Sequence, residues 1–368
     1  MKYLKIYEDH QTDEEIHRVC RKYNITNYTI NTDKSIDVNG DVNLEGGGEN
    51  DYSGKNLEKM PLKFNKVTGN FNCSQNFLET LEGCPKEVGG GFDCSGNNLI
   101  DSLEGGPLKV GTYYLCSFND LGSLKGSPKK IGGIFDCSQN SLDTLEYAPK
   151  EVYGSFDCTG NGLRLLKGCP NIKGNDPELH CPHNYLETLE DCPETLHYFD
   201  CSHNSLKSLK GGPKFIISQD NTFLTNGDFD CSHNKLISLI GSPKKVTGEF
   251  NCSHNELISL KDCPKEIGGD FSCDYNEKLK DINDLPKLKI TQNIFLHHTP
   301  FEKMSRILNS NGYNLTEYIK DYDKIHKFGD DSIVLPLFNL LLLRCGLDRV
   351  KNVKGYTILK NKADVDKY

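Results

Sequence analysis

One stretch, Phe229-Asp230-Cys231-Ser232-His233-Asn234-Lys235-Leu236-Ile237-Ser238-Leu239, recurs in near-copies through the middle of the chain, and that repetition restricts the fold more than any other feature. Aligned on the cysteine there are ten copies, at Cys73, Cys94, Cys116, Cys137, Cys158, Cys181, Cys201, Cys231, Cys252 and Cys273, with steps of 21, 22, 21, 21, 23, 20, 30, 21 and 21 residues. Each has an asparagine three residues on: Asn76, Asn97, Asn119, Asn140, Asn161, Asn184, Asn204, Asn234, Asn255 and Asn276. A fixed frame repeating every 21 or so residues predicts a solenoid, because one coil cannot bury its apolar side chains alone and neighbours must stack.

Within the frame Phe-x-Cys-Ser-x-Asn-x-Leu, the aromatic residue and the cysteine are two apart, so a strand points both to one face and the residues between them to the other. Phe and Cys are expected inside. The asparagine then turns the chain and, stacked on its copies, is placed to pair backbone groups that would otherwise be buried unsatisfied. It reads as a structural ladder. The following leucines and a Val or Ile after the proline (Val88, Val110, Ile131, Val152, Ile216, Val246, Ile267) complete the core of a coil. A proline in every copy, from Pro85 to Pro286, with Gly-Gly often beside it, forbids a regular helix on the outer side and predicts extended, polyproline-like backbone there.

These residues resemble the leucine-rich repeat family, with Phe and Cys in the first two leucine positions of Leu-x-Leu-x-x-Asn-x-Leu. The short period and the proline are similar to the bacterial type, and the wording Gly-x-Phe-Asp-Cys-Ser-x-Asn-x-Leu-x-Ser-Leu-x-Gly-x-Pro-Lys is similar to repeats encoded by large bacteriophages. The resemblance covers roughly residues 36 to 290. It implies a leucine-rich-repeat solenoid of about ten 21-residue repeats with a strand face and an extended outer side; it implies little about function.

The expected division is an N-terminal α/β cap over 1–44, the repeat array over 45–290 with a long insertion near 217–226, and a mainly helical C-terminal cap over 291–368. Thr12-Asp13-Glu14-Glu15, followed by Ile16, Val19, Cys20 and Tyr23, predicts a capped amphipathic helix of about three turns. Gly40-Asp41-Val42-Asn43-Leu44 mimics the repeat frame. Beyond Leu288, Thr299-Pro300-Phe301-Glu302 reads as a helix start leading to Met304, Ile307 and Leu308, with further helical candidates at Thr316–Phe328 and Ser332–Cys345 and a strand candidate at Tyr356–Leu359. The apolar run Leu337–Leu343 is read as core of that cap.

Sixteen cysteines would suggest a disulfide framework in a secreted protein, but ten occupy one core position of successive coils, where they act as small hydrophobes and suit a reducing cytosol. Cys84, Cys169, Cys192 and Cys263 precede the proline, where other copies have Gly, Ser or Ala; that position needs a small side chain. Without a Cys-x-x-Cys pair, a zinc ribbon is not supported. The first residues meet acids at once, unlike a signal peptide, and no stretch reaches the roughly 18 apolar residues of a membrane span. A formal charge of −9 argues against nucleic acid as a partner. No cofactor, metal site or catalytic residue is assigned.

The residues flanking Phe and Cys line a strand face, the usual binding surface of such folds. Two zones differ from the rest. Tyr113, Leu115, Phe118 and Ile134 form an apolar and aromatic group where other copies are polar, which fits either a partner anchor or packing against a cap or loop. Further on, Tyr198, Asp200, Asp228, Asp230, Glu249 and Asp270, with Glu178, lie beside a column of His183, His203, His233 and His254. Stacked carboxylates about 5 Å apart repel one another, favouring a partner with a basic patch, a bound cation or raised carboxylate pKa values. Asp and His in register also have metal-ligand chemistry, but a repeat copies its side chains whether or not a site exists, so no metal is assigned. The histidines admit pH-sensitive binding or no role at all.

The functional expectation is a non-enzymatic, cytoplasmic protein-binding scaffold. The resemblance adds a phage-encoded factor acting on a host defence protein in the host cytoplasm. Two alternatives stand beside it: a structural, virion or adhesive component, and a ubiquitin-ligase-like effector with activity in the tail. For the latter, Cys345-Gly346-Leu347-Asp348 departs from the Cys-x-Asp spacing of the bacterial enzymes it resembles.

Overall fold

The computed structural model describes residues 12–47, 56–218, 227–280, 289, 290 and 292–299, and the backbone of two later strands, Ser332–Val334 and Thr357–Leu359. The chain divides into two compact units, Met1–Asn184 and Tyr185–Tyr368.

The first unit opens with helix α1 (Asp13–Lys22), the one helix among the described residues. Thr12 and Glu15 form a reciprocal capping box, with acids in the first turn and Arg21 and Lys22 in the last, as the helix dipole favours. Ile16 and Cys20, four apart, are its buried stripe. Strand Tyr28–Ile30 then pairs antiparallel with Ile36–Val38, which pairs in parallel with Phe64–Val67 and so starts the coils.

Each coil contributes to two rows of parallel strands. In the first, Val42, Phe71, Phe92, Tyr114, Phe135, Phe156 and Leu179 are consecutive register partners. Gly40–Leu44 is thus a true starting coil, as its wording suggests. In the second row the partners are Val67, Val88, Val110, Ile131, Val152 and Ile172. The extended backbone expected after each proline therefore takes the form of short strands. In Glu151–Asp157 one unbroken strand carries both rows, so the second row is the N-terminal half of the strand that ends at the cysteine. The glycines between the halves are required by close approach: a Cβ at Gly111 would sit 1.9 Å from the carbonyl oxygen of Gly89, and one at Gly132 2.0 Å from that of Gly111.

The second unit repeats the plan. Phe199, Phe229, Phe250, Phe271 and Ile294 are register partners in one row, and Leu196, Ile216, Val246, Ile267 and Ile290 in the other. Ile294-Phe295-Leu296-His297-His298-Thr299 is a further coil that lacks both cysteine and asparagine. Thr299 Oγ1 donates to the Leu296 carbonyl at 2.7 Å, replacing the bond an asparagine makes three residues back. Ser332–Val334 pairs in parallel with Thr357–Leu359. The second strand meets its expectation; the first corrects the helix expected from Ser332, in keeping with the β-branched pair Ile333-Val334, which favours extended backbone. The other tail features (Thr299–Glu302 beyond Thr299, Met304, Ile307, Leu308, Thr316–Phe328, Leu337–Leu343, Cys345) lie outside the described residues, as do most of the loop at 45–56 and of the insertion.

The Phe and Cys columns are fully buried, as expected. Phe71 and Phe92 stack at 5.8 Å, Phe135 and Phe156 at 5.8 Å, Phe199 and Phe229 at 5.3 Å. Each such burial contributes about 1.5–3 kcal/mol. No disulfide joins the described cysteines. Many donate back to the next coil, as Cys116 Sγ does to the Asp136 carbonyl at 3.2 Å. The asparagine ladder also forms. Asn161 Oδ1 accepts from the Leu142 N–H at 3.0 Å, and its amide is directed at the carbonyls of Cys137, Cys158 and Thr159. Asn234 repeats this in the second unit with Leu206, Cys201, Cys231 and Ser232.

Candidate interaction face

On the first strand row, residues flanking each buried Phe and Cys reach the surface, and three positions per coil define the face. The position between Phe and Cys is mostly Asp or Asn, and its side chain is used locally. Asp93 accepts from the N–H and hydroxyl of Ser95, Asp136 from the N–H of Ser138, Asp157 from that of Thr159; in the second unit Asp200 and Asp230 accept from Ser202 and Ser232. These are Asx turns that end the strand. In the coil with His180 the residue two on is Pro182, which has no N–H to offer.

The position before Phe forms a second local ladder. Asp41 accepts from the N–H of Asn70 and Asn70 from that of Gly91; Asp228 accepts from Glu249 at 2.7 Å and Asp270 from Asn293 at 2.8 Å. The third position, two residues after the cysteine, is left-handed in every cysteine-bearing coil, Gln75, Gly96, Phe118, Gln139, Gly160 and His183 in the first unit and His203, His233, His254 and Tyr275 in the second, and again at His298 in the last coil.

The sequence-derived aromatic zone lies in the first unit. Tyr113 and Ile134 precede register partners Tyr114 and Phe135, and Leu115 has Asp93 and Asp136 as its partners on either side. Tyr113 lies flat over Gly91, where a Cβ would come within 2.1 Å of its ring. Burial, and then the charges of Asp93 and Asp41, push its phenol pKa up. Leu115 is half-buried, and Ile134 and Phe118 are exposed. Phe118 stands out, with 64% of its surface in solvent at φ +53°. A bulky side chain in the left-handed region is a genuine outlier that costs of order 1–2 kcal/mol.

The acidic zone lies in the second unit. Asp200, Asp230 and Asn251 are register partners, and Asn251 Nδ2 donates to Asp230 Oδ2 at 2.9 Å. Glu249 accepts from the Ser272 hydroxyl; burial raises its pKa, and the charges of Asp228, Asp270 and Asp230 raise it further. Tyr198 is half-buried on the same row. Each of Asp200, Asp228, Asp230 and Asp270 therefore accepts a backbone N–H, and Asp230 also accepts from the Asn251 amide.

His203, His233 and His254 are brought together as rings stacked at 4.1 and 4.0 Å, and the stack continues through Tyr275 and His298 at 4.1 and 4.2 Å. Tyr275, two residues after Cys273, was open to a cysteine-anchored reading; His298 escapes one, because its coil has no cysteine. No group of His, Cys, Asp and Glu among the described residues has the arrangement to hold a metal ion. No helix among them is long and apolar enough to cross a membrane. Glu178 and His180 approach at 3.3 Å within the first unit.

Stacked coils of one parallel strand pair each, an asparagine ladder and a 21-residue period define the class: a leucine-rich-repeat solenoid with a non-helical outer side. No protein-family model matches the sequence, and no curated protein does. Among solved structures, YopM from Yersinia enterocolitica WA-314 is similar at 18% identity and a TM-score of 0.25, over 69% of this chain and 65% of that one. The match spans just under two thirds of that protein's chain. At that TM-score the likeness adds nothing to the fold read from the coils themselves.

Proposed function

We propose that this chain is a non-enzymatic protein-binding scaffold that engages a partner protein through the strand face. The observation that carries the reading is Phe118. A Phe held left-handed and exposed, at a position where the other coils use Gly, Gln, His and in one case Tyr275, is unfavourable for folding, and such strain is retained where contact with another molecule compensates it. Tyr113 and Leu115 in the same coil and Ile134 in the next add apolar and aromatic groups on the adjoining strand row, the kind of side chains that anchor interfaces. The second zone, with Tyr198, Asp200, Asp228, Asp230, Glu249, Asp270 and the rings of His203, His233 and His254, suits a basic patch on the partner.

The wording of the repeats, and that alone, supports the narrower reading of a phage-encoded factor acting in the cytoplasm on a host defence protein. The test is affinity capture from lysate of a bacterial host with the intact chain and with the Tyr113→Asp, Phe118→Asp variant. A partner held by the first and lost by the second is expected. Capture that does not change removes the aromatic zone from the interface, and no capture at all favours a structural role.

A further inference from the structure

The second strand row of the first unit bears a groove of about 710 Å³, lined by residues other than those of the strand face described above. Its walls include Lys66, Glu87, Leu108, Lys109, Lys129 and Lys130. Lysines along a strand are by themselves an ordinary solvated surface. Two features here are not ordinary. Leu108 stands 63% exposed in the groove, at the position after the proline where neighbouring coils carry Lys86, Lys129 and Lys150. The lining also holds four lysines and one carboxylate. That carboxylate, Glu87, is already paired with Lys109, while Lys130 lies 3.8 Å from Glu151 and over the Tyr153 ring. Lys66 and Lys129 make no ion pair among the described residues. The chain as a whole carries −9, so this local excess of positive charge runs against its composition.

We propose that this groove is a second interaction surface, one that takes an acidic protein segment with an apolar side chain seated on Leu108. Charge complementarity selects the acidic segment. The exposed leucine in the lining selects a peptide over a nucleic acid, whose backbone offers phosphates but nothing to cover an aliphatic side chain. The chain's acidic balance also opposes a long polyanion.

The experiment is fluorescence anisotropy at low salt with the full chain and a labelled Asp-Glu-Leu-Glu-Asp peptide, beside a Ser-centred control peptide and a single-stranded oligothymidine. Leu108 and Lys129 are exposed, so Leu108→Ser and Lys129→Glu leave the fold intact, which circular dichroism verifies. Saturable binding of the leucine peptide is expected. Lys129→Glu should weaken it by about tenfold, a change of about 1.4 kcal/mol. Leu108→Ser should erase the preference over the Ser-centred peptide. The proposal is overturned by any of three results: no saturable binding at millimolar peptide, binding indifferent to both substitutions, or oligothymidine bound as tightly as the peptide with the same dependence on Lys129.

Discussion

The phenol oxygen of Tyr114 fills the space that a side chain at Gly106 would need: a Cβ there would lie 2.9 Å from it. Tyr114 replaces the phenylalanine of the frame, and Gly106 stands where other coils put Cys84, Ser127 or Cys169, so two departures from the repeat fit each other across neighbouring coils. The fit is steric only, because the hydroxyl is fully buried without a hydrogen-bond partner. Tyr114→Phe is therefore expected to stabilise the protein by about 1 kcal/mol, since a buried unsatisfied hydroxyl costs about that much or more. Urea unfolding checks it through a higher midpoint at unchanged slope. A lower midpoint would mean that the phenol has a partner, such as a buried water.

Asn161 is the clearest test of the ladder. Its carboxamide serves the buried Leu142 N–H and the buried carbonyls of Cys137 and Cys158, with the part-buried Thr159 carbonyl beside them, so Asn161→Ala leaves several groups unpaired at roughly 1–3 kcal/mol each. A loss of about 3 kcal/mol is expected by denaturant melting. A loss under about 1 kcal/mol would show that water replaces the side chain.

Much of this was legible in the sequence for a physical reason. A repeat exposes its own rules, so the Phe and Cys columns, the asparagine ladder and the capped helix could be read from spacing and residue type. The coil at Ile294–Thr299 could not, because Leu296 and Thr299 preserve its packing and its hydrogen bond while abandoning the letters that mark the frame. Asp230 and its counterparts were legible as charge and not as Asx turns, since the N–H they accept belongs to a backbone whose turn the composition does not specify. The strain at Phe118 is a torsion, and no letter pattern reports it directly.

Burial pushes the thiols of Cys94, Cys116, Cys137 and Cys158 well above their ordinary value. With the folded pKa raised above the unfolded one, the stability contribution is full below the unfolded pKa and is lost as pH rises toward the folded pKa. Each thiol then costs about 1.4 kcal/mol per pH unit above roughly pH 8.5. Under reducing conditions the solenoid should unfold cooperatively between about pH 9 and 11, with Cys137→Ala moving the onset upward. Circular dichroism during alkaline titration measures this, and an intact spectrum through that range would contradict thiol control.

Glu249 gives a dependence at the other end of the scale. Its pKa is raised by burial and by Asp228, Asp270 and Asp230, so its contribution is intact below the unfolded carboxylate pKa and declines as pH rises through the folded value. Glu249→Gln keeps an acceptor for the Ser272 hydroxyl and removes the charge. The variant should be more stable than the parent at pH 7 and indistinguishable from it below about pH 4. Equal stability at pH 7 would show that Glu249 is relaxed by solvent.

Phe118 separates folding from binding in a single substitution. Its ring is largely exposed, so Phe118→Gly removes little packing, and glycine adopts the φ +53° backbone without the penalty a phenylalanine bears there. Gly96 and Gly160 already occupy the equivalent position in other coils of the unit. The variant is expected to gain about 1 kcal/mol in denaturant unfolding and at the same time to lose the captured partner. A gain with capture intact would make Phe118 repeat drift, whereas a loss of stability would mean that the ring packs on the protein itself and the strain has a purely structural cause.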